Sequence, residues 1–190
     1  IKQGDELAEK DTHADGIVGH LEIRKDTKRG IDIQDGCSCL YITEAKMFSE
    51  LSKGTTKFPN FDQCARNVAC LMKLVYDGKE SEKIIEIPQK IGFYVFLPEE
   101  QKRKKEKIFD KIMNKDSIKT KINDRINEYF EDGKLKKNYD KKEKELSWAK
   151  DKLEVFIEKL DIKMITWEDL LKDIDIDIKN FYKNCKKYNK

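Results

Sequence analysis

RGIDIQDGCSCLYITEAKM, residues 29–47, reads as two strands, GIDIQ and CSCLYITEAK, about a turn at Asp35-Gly36. A strand end suits apolar residues, yet this one closes on Glu44-Ala45-Lys46. The period of two puts Glu44 and Lys46 on one face, with Leu40 and Ile42 behind them. If the turn makes a hairpin, Asp32 on the first strand converges with Glu44 on the second. Two neighbouring carboxylates repel unless a cation lies between them, and hard oxygen ligands suit Mg²⁺, with Mn²⁺ as the alternative. A lysine beside that cation can orient a water or stabilise charge developing on phosphate oxygens.

Upstream, GIVGHLEIRK alternates as a strand with Val18, His20, Glu22 and Arg24 on one face. Residues 2–10 read as helix, and LSKGTTKFPN downstream as a loop. A helix is expected over 61–76, where Phe61, Cys64, Val68, Leu71 and Val75 form an apolar stripe. Gln63 and Arg66 lie on its other face, and Asp77-Gly78 ends it, with Gly78 at C′. KIIEI and IGFYVFLP supply further strands. From Glu99 the text turns helical, over 100–114, 117–132, 139–160, 167–174 and 177–188, with Ser117 and Thr166 as N-caps. Residues 1–98 are thus read as an α/β core and 99–190 as a basic helical region packed on it.

With 41% charged residues but clear apolar blocks, the 190-residue chain is expected to fold around one full core. No run of 18 apolar residues exists, so no membrane span is expected. The chain opens at Ile1 with neither an initiator Met nor a signal-type apolar run, which is compatible with a start upstream. Cys37, Cys39, Cys64, Cys70 and Cys185 are odd in number and lack zinc or disulfide-framework spacing, which favours a reduced, cytoplasmic protein. Charge is uneven. Residues 1–100 hold 14 Lys and Arg against 18 Asp and Glu, net −4, whereas 101–190 hold 26 against 19, net +7. That division fits a cation site beside a surface for a polyanion. Solvated Lys-rich helices, common in chains of this Lys-, Ile- and Asp-rich bacterial type, would give the same numbers.

Asp32, eleven intervening residues and then Glu44-Ala45-Lys46, followed by a helix bearing DQCARN, resembles the PD-(D/E)XK nuclease superfamily, the restriction-endonuclease-like fold. The order helix, strand, strand with Asp, strand with Glu-x-Lys, helix, strand is similar over about residues 2–98, and Ile31 stands where the family pattern has proline. The resemblance implies a mixed sheet flanked by helices, here with a helical C-terminal extension. It implies Mg²⁺ held by Asp32, Glu44 and the Ala45 carbonyl, with Glu6 favoured over Glu9 as a first-helix acid. Lys46 would position the attacking water, and Gln63 and Arg66 would orient the site or contact phosphate. The implied activity is hydrolysis of phosphodiester bonds, most readily in double-stranded DNA, with a homodimer as one assembly.

Other residues have plainer readings. A Glu44–Lys46 surface pair would contribute under about 1 kcal/mol. His13 and His20 are read as structural, and their scarcity argues against a histidine-based hydrolase or a zinc site. GIVGH lacks the spacing of a phosphate loop. QKRKKEK, 101–107, is either a DNA path or a solvated helix start, and Trp148 and Trp167 are expected to pack in the core. Two non-enzymatic readings stand beside the nuclease: a nuclease-fold module that binds nucleic acid or a protein without catalysis, and an interaction protein that oligomerises through the helix at 139–160.

Overall fold

The computed structural model describes residues 14–23, 30–54, 58–77, 87–131 and 139–189. The strands are β1 (Gly16–Gly19), β2 (Leu21–Ile23), β3 (Ile31–Ile33), β4 (Cys39–Ala45), β5 (Lys90–Leu97) and β6 (Leu160–Thr166). The helices are α1 (Gln63–Asp77), α2 (Glu99–Ile112), α3 (Lys115–Glu131), α4 (Tyr139–Lys159), α5 (Trp167–Leu170) and α6 (Ile176–Tyr188). The sheet runs β1-β4-β5-β6, with β1 antiparallel to β4 and the other neighbours parallel. The class is therefore α/β with a mixed sheet flanked by helices. Parallel neighbours need long crossovers; α1 lies on the path from β4 to β5, and α2, α3 and α4 on the path from β5 to β6.

Alternation decides which face of the sheet meets the helices. Leu40, Ile42 and Glu44 on β4 are buried, as are Ile91, Phe93, Val95 and Leu97 on β5, and the register sets Leu40 against Ile91 and Ile42 against Phe93. Against this surface packs α1, which is buried on far more than the expected stripe: Ala65, Ala69, Cys70, Met72 and Leu74 are buried too. The reason is a second covering layer, since α3 and α4 lie against each other and against α1. Ile118, Ile122 and Ile126 on α3, and Ala149, Leu153, Phe156 and Ile157 on α4, supply its apolar face at helical spacing. Across the sheet, Gly92 is a close-approach position. A Cβ there would stand 2.6 Å from the Tyr41 ring and 3.1 Å from the Asp161 carbonyl oxygen. Gly92→Ala is accordingly expected to lower stability by about 1–3 kcal/mol in urea unfolding, with an unchanged denaturant slope.

Several expectations are revised. The stretch read as one strand from 16 breaks at His20, so that β1 pairs with β4 while β2 pairs with β3. The expected β3–β4 hairpin does not form: β3 pairs with β2, Leu21 to Ile33 and Glu22 to Asp32. The Asp35-Gly36 turn is present, with Gly36 at φ +75°, but it serves a longer connection. There the Gln34 N–H donates to the His20 carbonyl and the Cys37 thiol to the Cys39 carbonyl. The region after 98 is not helical throughout, because β6 joins the core sheet; a boundary at 98 cuts across a shared sheet. The helix expected over 167–174 is only α5, followed by turns. Thr166 caps it as expected, accepting from the Asp169 N–H, whereas α3 starts before Ser117, and Asn114 Oδ1 accepts the Ser117 N–H. At the start of α1 the Asp62 side chain accepts the Ala65 N–H, so Phe61 precedes the helix. Residues 2–10 with Glu6 and Glu9, His13, Gly78 and most of KIIEI lie outside the described residues. Among the described residues, no helix is long and apolar enough to cross a membrane, and the five cysteines are free thiols.

Candidate active site

Glu44 is the last buried residue of β4 and is only 3% exposed, although it is a carboxylate. Charged groups at that depth are paired or perturbed. Its Oε1 accepts from Lys46 Nζ at 2.7 Å and from Gln63 Nε2 at 2.5 Å, and its Oε2 lies 3.3 Å from Asn67 Nδ2. Lys46 approaches from just past the strand, and Gln63 and Asn67 from successive turns of α1. The i, i+4 spacing of those two amides aims both at one carboxylate. The Glu44–Lys46 pair is thus a mostly buried ion pair, not the surface pair of the plainer reading. Asn67 was not expected from sequence; its Oδ1 is buried and has no hydrogen-bond partner.

The second carboxylate is Asp15. The antiparallel register sets Gly16 against Thr43, which carries the preceding residue to the end of β4. Asp15 Oδ2 accepts the Ala45 N–H at 2.8 Å. Burial raises the pKa of Glu44; Lys46 opposes that rise, and Asp15 reinforces it through its charge and its proximity. Asp15 is therefore close enough to disfavour the ionisation of Glu44. Asp32 is not brought to this place. It lies opposite Glu22 on the separate β2–β3 ladder, beyond the break at His20, and is not among the groups that act on Glu44. Sequence reasoning missed Asp15 because it assigned the carboxylate by hairpin proximity. The signal that could have found it is an acid directly before GIVG, the strand that pairs with YITEA.

Arg66 turns aside from Glu44. Its guanidinium donates to the carbonyls of Phe61 and Lys53 and to Ser52 Oγ, and so ties down the loop before α1. Gln63 serves the same loop, accepting the Ser52 N–H at 2.9 Å while its amide nitrogen holds Glu44. From α3, Lys121 bonds Asp62 at 2.6 Å and the buried Arg125 lies over the Phe58 ring. These contacts fix the start of α1, and with it Gln63.

The Lys46 main chain is clamped from two sides. Its N–H donates to the Phe96 carbonyl at 2.7 Å, and its carbonyl accepts from Trp167 Nε1 at 2.9 Å. Trp167, expected in the core, is half-buried and outside the core cluster, and its ring lies 5.4 Å from that of Phe96. Two residues on, Phe48 holds φ +73°, an uncommon conformation for a bulky side chain. Gln101 restrains this turn, its Oε1 accepting the Phe48 N–H and its Nε2 donating to the Ser49 carbonyl. Gln101 is buried at the head of the basic run, while Lys105 in that run pairs with Glu50. Gln101→Ala is expected to destabilise by about 1–2 kcal/mol, since two part-buried main-chain groups lose their partner. Gln101→Glu, which keeps the acceptor, should recover part of this in thermal melts.

Among the described residues, no three His, Cys, Asp or Glu side chains cluster to hold a metal. The donors present are two carboxylates and main-chain oxygen, all hard ligands. A divalent cation fits them on one physical ground: it would offset the burial that raises the pKa of Glu44 and the nearby Asp15 charge that adds to that rise. His20 is exposed and structural, its N–H reaching Cys37 Sγ and its ring the Asp35 carbonyl. No protein-family model matches this chain, and no curated protein or solved structure is significantly similar to it.

Proposed function

We propose that this chain is a metal-dependent nuclease that hydrolyses phosphodiester bonds, with DNA as its substrate. The observation that carries this reading is a buried Glu44 bonded to Lys46, with the Asp15 carboxylate delivered beside it by the neighbouring antiparallel strand. In this reading Asp15 takes the place that Asp32 was expected to fill in the Asp, Glu-x-Lys pattern. Asp15, Glu44 and the Ala45 carbonyl would hold Mg²⁺ or Mn²⁺, and that ion would supply Lewis-acid polarisation of the phosphate. Lys46 orients the attacking water and offsets negative charge gathering on the phosphoryl oxygens. Gln63 fixes the rotamer of Glu44, and Asn67 restrains its second oxygen. Arg66 acts at one remove, through the loop that Gln63 also holds.

A second reading keeps the fold without catalysis, and one observation favours it: both oxygens of Glu44 already face protein donors. The discriminating experiment follows supercoiled plasmid and a labelled linear duplex with Mg²⁺, Mn²⁺ or EDTA, for the wild type and Lys46→Ala. Metal-dependent cutting that is lost in Lys46→Ala, with duplex binding retained, supports the nuclease. Salt-sensitive duplex binding with no cutting in either metal supports the binding module.

A further inference from the structure

Helix α5 sets two consecutive side chains to different tasks. Thr166 caps its start, and Trp167 and Glu168 follow in its first turn. Trp167 bonds the Lys46 carbonyl, and its ring neighbours Phe96 at 5.4 Å and Tyr182 of α6 at 6.5 Å. Glu168 joins three elements. Its Oε2 accepts the Glu99 N–H at 2.8 Å, a donor that Pro98 has no side-chain oxygen to cap. Its Oε1 accepts from Tyr182 at 2.9 Å and from Lys186 at 2.7 Å, both on α6. Burial resists the Glu168 charge, but Lys186, the Glu99 N–H and Tyr182 outweigh it and hold the carboxyl below its usual range. On α6 the half-buried residues are Lys179, Tyr182, Cys185 and Lys186, which share one helical face, and Lys179 donates to the Lys172 carbonyl. No residue of α6 is buried, so the helix rests on α5 without entering the core.

We infer that Glu168 is a positioning residue, through which the docked α6 sets Lys46. Two routes lead from it to the turn that carries Lys46. One passes through its neighbour Trp167 to the Lys46 carbonyl. The other passes through the Glu99 N–H to the first turn of α2, where Gln101 holds the Phe48 N–H and the Ser49 carbonyl. Phe48 keeps its positive φ only while such contacts impose it. Releasing α6 therefore slackens the supports on both sides of Lys46, while the core, which α6 does not enter, stays whole. The consequence for cleavage rests on the nuclease reading; the coupling itself does not.

The test is amide hydrogen exchange of the full chain carrying Tyr182→Phe with Lys186→Met, which removes both α6 partners of Glu168 but keeps the ring and the alkyl stem. The Lys46 and Phe48 amides, bonded to the Phe96 carbonyl and to Gln101, should exchange about tenfold faster or more, together with those of α6. The melting temperature should move by under about 2 °C, because α6 buries no residue. Lys183→Met, an exposed lysine of the same helix, matches the charge change and should leave all of these amides as in the wild type. In plasmid and duplex cleavage the double variant should lose roughly tenfold in kcat with KM unchanged, the mark of a misplaced group rather than of lost substrate binding. Faster exchange in α6 with Lys46 and Phe48 unchanged overturns the proposal. Unchanged exchange in α6 overturns it equally, since Glu168 would then not be what holds the helix. A wild type that cuts no DNA would sink the nuclease reading, and the exchange result would still decide the coupling.

Discussion

Asp15→Asn is expected to reduce metal-dependent cleavage by on the order of 10²–10³-fold, while Asp32→Asn stays within about threefold of the wild type. Asparagine keeps the size of the Asp15 side chain and an oxygen to accept the Ala45 N–H, so the fold should survive. What it removes is the negative charge beside Glu44, which a divalent cation needs. Asp32 stands across from Glu22 on the small β2–β3 ladder, a sheet separate from the one that carries Glu44. Plasmid nicking and linearisation read both variants directly, with melting temperature and duplex binding as controls for folding. The reverse outcome, with Asp32→Asn inactive and Asp15→Asn active, would move the site away from Glu44.

The paired variants also mark how far the sequence could be read. Strand β4 and its closing Glu-Ala-Lys were legible, because alternation from Leu40 to Glu44 is a local property of one segment. Helix α1 was legible for the same reason, although its burial was underestimated, since what covers its second side comes from residues beyond 114. Strand pairing is not local. The Asp35-Gly36 turn carries a true turn signal, yet a three-residue β3 found its partner in β2, and β1 was left to flank β4. The carboxylate that stands beside Glu44 depends on that pairing, which sets Asp15 there and Asp32 opposite Glu22. Strand β6 was hidden differently. Leu153, Phe156 and Leu160 continue the spacing of α4 into the first residue of the strand, so Leu160 satisfies both patterns. Only beyond it do Ile162 and Met164, alternating with Asp161 and Lys163, show the period of two. Asn67 and Gln101 carried no signal at all, because a buried amide is recognisable only by what it touches.

Glu44→Gln is expected to abolish cleavage and to raise the melting temperature in the absence of metal. Glutamine retains an oxygen to accept from Lys46 and Gln63, but it carries no charge to bury. The sign follows from the raised pKa of Glu44, caused first by burial and then resisted by Lys46. Between the ordinary glutamate value of 4.5 and its folded value, the native chain binds more protons than the unfolded one. The contribution of Glu44 to stability is therefore complete below 4.5 and declines as pH rises through the folded pKa. The variant lacks that decline, so its advantage over the wild type should open across this window and persist at neutral pH. An advantage of about 1 kcal/mol would appear as roughly 2–4 °C in a chain of this size. Mg²⁺ should narrow the gap by stabilising only the wild type, because a ligand that binds the native state alone adds RT ln(1 + [L]/Kd). Thermal melts between pH 4 and 8, with Mg²⁺ or EDTA and no nucleic acid, test this apart from cleavage. If Glu44→Gln melted lower at neutral pH, the ion pair with Lys46 would outweigh the burial of charge, and Glu44 would be a structural anchor rather than a strained ligand.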